Sequence, residues 1–331
     1  MKEILLHLFE HKTLSKQQAQ EILTNIAQGK YNNAQISAFM TVYLMRSITV
    51  EELEGFRDAM LDLCVNIDLS HYNPIDLCGT GGDGKNTFNI STLASFVVAG
   101  AGQAVAKHGN YGVSSLCGSS NILEYFGIKF TNEKTLLEKQ LEKANICILH
   151  APLFHPAMKT VAPIRKELGV KTFFNMLGPM VNPAFPKNQM VGVFNLELAR
   201  LYAYLYQKTD KNFSIIHSLD GFDEISLTAD CKVYARNQEQ ILSPNVFCET
   251  IRQEEIFGGE TIEESAQIFL NVLQNKATES QKSVVLANAS MALQTANPHK
   301  TISECWEIAK ESLESGKAWQ CFRTLQELAK S

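Results

Sequence analysis

No two cysteines in this 331-residue chain are spaced as CxxC. The eight that occur (Cys64, Cys78, Cys117, Cys147, Cys231, Cys248, Cys305 and Cys321) are scattered, several in apolar runs such as Asn145-Ile-Cys-Ile-Leu149. Thiols distributed in this way fit neither a disulfide framework nor structural zinc spacing, and they indicate a reducing compartment. A run of about 18 apolar residues, the length that crosses a bilayer, is also missing. Met1-Lys-Glu-Ile-Leu-Leu-His7 has no basic stretch followed by a long apolar core, so no secretory signal is expected. Positive charge is not in excess: 30 Lys and Arg against 35 Asp and Glu give a formal net charge of −5. That balance argues against a general nucleic-acid or anionic-membrane surface and leaves room only for a local basic pocket. Repeats and low-complexity tracts are absent. The expectation is a soluble, cytoplasmic protein with neither nucleic acid nor membrane as partner.

What is present is an ordinary globular composition, 45% hydrophobic and 20% charged, on a chain long enough for two linked domains. The first 65 or so residues read as helices only. Lys2–Glu10 is a short amphipathic turn, and Ser15-Lys-Gln-Gln18 has capping-box spacing for a helix ending near Gly29. Asn33 is placed to cap the next helix, and Thr49-Val-Glu-Glu52 opens one running to Cys64. After Asn73–Cys78, a short strand, strands and helices alternate: a helix from Ser91, then Ala104–Lys107, Asn121–Phe126 and Ile146–Leu149. A helix from about Val161, a strand Met190–Phe194, a helix Leu196–Gln207 and a strand Phe213–His217 continue the pattern, and the last sixty or so residues are mainly helical. Such alternation predicts an α/β fold: a small N-terminal helical domain beside a larger domain with a central, mostly parallel sheet flanked by helices. The expected boundaries are 1–70, with a contribution from about 164–188, for the helical domain, and 71–163 with 189–331 for the α/β domain.

Four segments carry chemistry. Gly79-Thr-Gly-Gly-Asp-Gly-Lys-Asn-Thr-Phe-Asn-Ile-Ser-Thr92 lies between a strand and a helix, where glycines admit a ligand to the backbone and free N–H groups face an anion. It lacks the Gly-Lys-Ser/Thr of a nucleotide P-loop and the Rossmann spacing. Lys107-His-Gly-Asn-Tyr-Gly-Val-Ser-Ser115, continuing to Ser119, follows a second strand and offers a cation, an imidazole and hydroxyls. Lys107 is a candidate phosphate ligand or else a solvated strand-end lysine, and His108 a substrate contact or a loop hydrogen-bonder. In Asp220-Gly-Phe-Asp-Glu-Ile-Ser226, the adjacent Asp223 and Glu224 suit a hard cation shared with substrate phosphates, where alone they would read as a solvated turn. His155-Pro-Ala-Met-Lys159 leads to Arg165, a candidate for bidentate grip on a carboxylate or a surface helix arginine. Spacing does not choose between them.

Taken together, Gly-Thr-Gly-Gly-Asp, Thr-Phe-Asn-Ile-Ser-Thr, Lys-His-Gly-Asn, His-Pro-Ala-Met-Lys, Asn-Met-Leu-Gly-Pro and Asp-Glu-Ile-Ser resemble, in order and nearly end to end, the anthranilate phosphoribosyltransferase family. The resemblance implies transfer of phosphoribose from phosphoribosyl pyrophosphate to anthranilate, a step of tryptophan biosynthesis, by a Mg²⁺-dependent homodimer with its active site in the cleft between domains. It assigns phosphoribosyl pyrophosphate contacts to Gly79, Gly82, Asp83, Thr87, Asn89, Ile90, Ser91 and Thr92. It adds Lys107, His108, Gly109, Asn110, Tyr111, Gly112, Val113, Ser114, Ser115 and Ser119 to the same ligand. Gly79, Asn110 and Arg165 are implied to contact anthranilate, and Ser91, Asp223 and Glu224 to hold Mg²⁺. No residue is assigned as general acid or base. Tyr111 and Leu116 stand where the family usually has arginine and lysine, Asn121 where aspartate is usual, and His217-Ser-Leu-Asp220 differs slightly before the acidic loop. The two lost cations bear on pyrophosphate affinity. A pyrimidine nucleoside phosphorylase and a non-catalytic nucleic-acid-binding relative of the same fold are the alternatives. The paired acidic residues oppose the first and the net charge opposes the second.

Overall fold

The computed structural model describes residues 1–112, 117–236 and 238–330. Helices α1 (Lys2–Phe9), α2 (Lys16–Ala27), α3 (Asn33–Met45) and α4 (Val50–Asp62) come first. They are followed by β1 (Ile75–Gly79), α5 (Ile90–Gly100), β2 (Val105–Gly109), α6 (Ser119–Tyr125), α7 (Lys134–Ala144) and β3 (Ile146–His150). The chain continues through α8 (Ala151–Phe154), α9 (Met158–Leu168), β4 (Asn188–Gly192), α10 (Leu196–Gln207) and β5 (Asn212–Ser218). Strands β6 (Cys231–Ala235) and β7 (Gln238–Leu242) precede α11 (Ile262–Leu273), α12 (Glu279–Ala296), α13 (Ile302–Glu314) and α14 (Lys317–Lys330).

These elements form two compact units, Met1–Ile67 with Ala151–Pro183, and Asp68–His150 with Ala184–Ser331. The helical unit's second segment begins at Ala151 rather than near residue 164, because α9 packs against α2 and α3. α2, α3 and α4 start where side chains replace missing backbone partners. Ser15 and Gln18 exchange the two bonds of a capping box on α2, and Thr49 and Glu52 do so on α4. On α3 the cap is Asn32, paired with Gln35, and Asn33 is already helical. Phe173 from the second segment fills the centre of this unit: it stacks on Phe56 at 4.5 Å and meets Phe39 and Tyr43 edge-on. Beside the rings Glu52 is fully buried. Its carboxylate accepts from Arg46 Nη2 at 2.6 Å, Arg46 Nη1 at 2.9 Å and the Leu14 N–H at 2.9 Å. Burial alone would raise the Glu52 pKa; the Arg46 bonds and the Leu14 and Thr49 N–H groups outweigh it and lower the value.

In the α/β unit the seven strands run in the order β3-β2-β1-β4-β5-β6-β7. β1 to β5 are parallel, and β6 and β7 extend the sheet antiparallel. The order reverses between β1 and β4, so loops leaving the carboxyl ends of neighbouring strands diverge there and open a crevice, the usual ligand position in such sheets. Helices α5 and α12 pack together, and the stretch Val284–Leu293 of α12 is buried throughout. An aromatic group of Phe96, Phe126, Phe269 and Phe322 joins α5, α11 and α14 behind the sheet.

Candidate active site

The glycine-rich turn leaves β1 at Gly79. Gly81 and Gly82 take φ of +60° and +79°, left-handed values that a side chain would resist. Gly79 is constrained by space instead, since a β-carbon there would lie 2.5 Å from Asp223 Oδ2. The turn ends at α5, whose N-cap residue Asn89 makes no cap bond; its amide donates to the Cys117 carbonyl at 2.9 Å and ties this turn to the second loop. A helix start without a side-chain cap favours a negative group in front of it.

The acidic loop after β5 comes to that place. Asp223 Oδ2 accepts the Gly81 N–H at 2.8 Å, and Glu224 Oε2 lies 3.5 Å from Thr87 Oγ1, with the Ser91 N–H also favouring its charged form. Asp83 Oδ1 accepts the Lys85 N–H at 3.0 Å, and the backbone and carboxyl of Asp223 also lie against the Asp83 carboxyl. Burial raises the Asp83 pKa. Burial, and then the Asp83 charge, pushes Asp223 up to about 7. Burial, followed by the charges of Asp223 and Asp83, holds Glu224 well above its ordinary range. Carboxylates crowded in this way are relieved by a divalent cation. Among the described residues no three His, Cys, Asp or Glu side chains make a closed metal cage. Mg²⁺ fits such a half-site, because it takes one or two carboxylates and completes its shell with phosphate and water oxygens.

The second loop follows β2. Lys107 and His108 are buried, at 2% and 3% exposure, so neither is a solvated strand-end group. Lys107 Nζ donates to the Leu77 carbonyl at 2.6 Å, and burial lowers its pKa. The His108 N–H donates to Asp76 Oδ1 at 3.0 Å. Beyond them α6 holds the loop. The Asn110 carbonyl accepts from the Ser120 N–H and Ser119 Oγ, and Asn121 Oδ1 accepts from the N–H groups of both Gly112 and Gly118, at 2.9 and 3.1 Å. Asn121 thus closes the loop with an uncharged acceptor. Tyr111 sets its hydroxyl on Glu124 and its ring edge-on to His150, whose Nδ1 is 2.8 Å from Ser120 Oγ. Val113, Ser114 and Ser115, with Leu116, lie outside the described residues.

Arg165 belongs to the helical unit, in the last turn of α9. Its Nη2 donates to Asn175 Oδ1 at 3.2 Å and its guanidinium lies 5.5 Å from the Phe174 ring centre, which fixes the plane of the fork. Three residues in contact with these loops carry no motif in the sequence: Asp76, Gly192 and His150. Only Asp76 left a signal, a carboxylate inside the apolar strand Ile75-Asp-Leu-Cys78.

A mostly parallel sheet with a glycine-rich turn facing an acidic loop, together with a separate helical unit, is the architecture of a glycosyl transferase family. Residues 2–64 match the helical bundle domain of the glycosyl transferase family, and residues 71–319 match that family's a/b domain. The chain is 62% identical over 335 residues to the anthranilate phosphoribosyltransferase of Christiangramia forsetii, covering 100% of each. Two solved structures are also similar. The anthranilate phosphoribosyltransferase of Thermus thermophilus has a TM-score of 0.91 at 28% identity, covering 99% of each chain. That of Saccharomyces cerevisiae in complex with PRPP and Mg has a TM-score of 0.88 at 26% identity, covering 96% of this chain and 93% of its own. The chain belongs to the anthranilate phosphoribosyltransferase family.

Proposed function

We propose that this chain transfers phosphoribose from phosphoribosyl pyrophosphate to the amine of anthranilate, releasing pyrophosphate, as a step of tryptophan biosynthesis. The observation that carries the reading is the 2.8 Å bond from Gly81 N–H to Asp223 Oδ2, which joins an anion-binding turn to a carboxylate loop. In this reading Gly79, Gly82, Asp83, Thr87 and Asn89 to Thr92 hold the phosphoribosyl pyrophosphate, with Lys107 to Ser115 and Ser119. Backbone N–H groups of the turn take the pyrophosphate oxygens, a preorganised arrangement that favours the charge gathering on the leaving group. Ser91, Asp223 and Glu224 would hold Mg²⁺, which when bound neutralises pyrophosphate charge. Gly79, Asn110 and Arg165 receive anthranilate, the guanidinium taking its carboxylate. The aromatic amine is uncharged at neutral pH and nucleophilic as it stands, so orientation rather than a covalent intermediate does the chemistry.

A homodimer accords with exposed Leu6 and Phe9 on α1 and Leu44 and Met45 at the end of α3, since α1 packs on α3. Sedimentation equilibrium tests this, and a monomer at micromolar concentration would contradict it. All eight cysteines are free, which accords with the cytoplasm. The deciding experiment for the activity follows anthranilate fluorescence on adding phosphoribosyl pyrophosphate and Mg²⁺, beside a thymidine-plus-phosphate assay. Loss of fluorescence supports the reading; turnover in the second assay alone would replace it.

A further inference from the structure

The two phosphate-facing loops leave adjacent strands, β1 and β2, and these strands separate before they end. Five register pairs join β1 to β4 and five join β2 to β3, whereas β1 and β2 share the single pair Ile75↔Val105. The Ile75 N–H donates to the Ala104 carbonyl at 2.9 Å. Continued by the parallel pattern, the ladder would set the Leu77 N–H on the Ala106 carbonyl and then, as its next rung, the His108 N–H on the Leu77 carbonyl. Side chains occupy both halves of that rung. The His108 N–H goes to Asp76 Oδ1 at 3.0 Å, and the Leu77 carbonyl accepts from Lys107 Nζ at 2.6 Å. By strand alternation Asp76 and Lys107 reach the gap from opposite faces of the sheet. Asp76 is fully buried, and its Oδ2 accepts from Gln189 Nε2 on β4 at 3.2 Å; Gln189 in turn accepts from Tyr206 on α10 at 2.9 Å.

Exchanging one backbone rung for a buried carboxylate and a buried ammonium is a costly way to stabilise a sheet, since both charges leave water. It does keep the strand ends apart. Gly79, two residues beyond Leu77, and Gly109, the residue after His108, begin the two loops. We propose that Asp76 is a positioning residue: by capturing the His108 N–H it holds β1 and β2 open and sets the separation of the loops that receive phosphoribosyl pyrophosphate. This rests on the reading of those loops as the cradle for that ligand.

The test compares Asp76→Asn with Asp76→Ala. Asparagine keeps an oxygen for His108, and the Gln189 amide and Tyr206 hydroxyl can reverse to suit its NH₂, Lys211 giving up its 3.4 Å bond to Gln189 and keeping the Pro186 carbonyl at 2.7 Å. Alanine frees the His108 N–H to zip onto Leu77. Calorimetry with Mg²⁺ and phosphoribosyl pyrophosphate reads binding, steady-state kinetics read anthranilate, and melting reads the fold. Alanine should weaken phosphoribosyl pyrophosphate by roughly ten- to hundredfold, the loss expected when a displaced loop gives up one hydrogen bond to a charged phosphate. The anthranilate Michaelis constant should stay within about threefold, and asparagine should restore binding to within about threefold of wild type. Should Asp76→Ala fail to fold, Asp76→Val, a strand former without an acceptor, replaces it. Equal losses in the asparagine and alanine variants, or equal losses for both substrates, would overturn the positioning role. A wild-type chain that bound no phosphoribosyl pyrophosphate would overturn the reading of the loops instead.

Discussion

Gly192, the last residue of β4, lies against the Asp223 backbone so closely that a β-carbon at position 192 would be 1.6 Å from the Asp223 carbonyl oxygen. No rotamer relieves an overlap between two backbones, so Gly192→Ala must push the acidic loop away from the Gly81 N–H. Turnover should fall at least about a hundredfold, and the loss should deepen at low Mg²⁺. Gly100→Ala is the control: its β-carbon would meet Ser312 Oγ at 2.5 Å and the Ala318 N–H nitrogen at 2.6 Å. Because Gly100 is at the end of α5 away from the glycine-rich turn, this change should lower the melting temperature and leave the Mg²⁺ requirement alone. A Gly192→Ala enzyme with wild-type Mg²⁺ titration would refute the link.

Replacing Asp223 and Glu224 together by alanine removes two buried carboxyls whose pKa values are held up chiefly by burial and then by neighbouring carboxylate charge. Mg²⁺-dependent turnover should be abolished while the melting temperature holds or rises, because buried charge is lost. Near-normal activity over a Mg²⁺ titration would show that these carboxyls hold no metal.

Arg165 makes a prediction about shape rather than charge. A planar guanidinium can take both oxygens of the anthranilate carboxylate, whereas lysine supplies a point charge. Arg165→Lys should therefore raise the anthranilate Michaelis constant, and Arg165→Ala should raise it further, with phosphoribosyl pyrophosphate binding little changed. Aniline, which lacks the carboxylate, should be a poor substrate of the wild type and lose little more in the alanine variant. Equal losses for anthranilate and aniline would return Arg165 to a role in the fold.

Acid should weaken the helical unit in two stages. Burial lowers His155 from 6.5 to about 4, so the folded chain resists its protonation. Its contribution is complete above pH 6.5 and is lost as pH falls toward 4, on the order of 3 kcal/mol at most. Glu52 is likewise lowered, from 4.5, so the stability of its Arg46 pairing is present above that pH and lost below it. Melting temperature against pH should show the first loss flattened in His155→Asn and the second remaining. An unchanged acid limb in that variant would remove His155 from the account.

Much of the fold was legible because local chemistry marks its ends. α10 was expected over Leu196–Gln207 and occupies those residues, with Asn195 capping it through the Leu198 N–H. The cap of α3 was displaced by one residue, since two consecutive asparagines offer the same side chain and only the partner Gln35 distinguishes them. Strands β6 and β7 were not foreseen. Gln238-Glu-Gln-Ile-Leu242 buries only its final residue, and an edge strand facing water has no apolar alternation to display. The acidic pair and the glycine turn announced themselves by residue type. The direction of Lys107 did not, because its target, the Leu77 carbonyl, is 30 residues away on a neighbouring strand.

The helical unit is built from two stretches of chain, and its aromatic centre depends on the later one. During synthesis α1 to α4 emerge well before Phe173, the ring that packs among Phe39, Tyr43 and Phe56. At ribosomal speeds of about 5–20 residues per second, the intervening chain takes roughly 5–20 s to appear. For that interval the newborn N-terminus exposes a greasy aromatic notch, and β1 to β3 are made inside it. The bundle is thus begun before β1 to β3 and completed only after them, so the folding of its aromatic centre waits on chain made later.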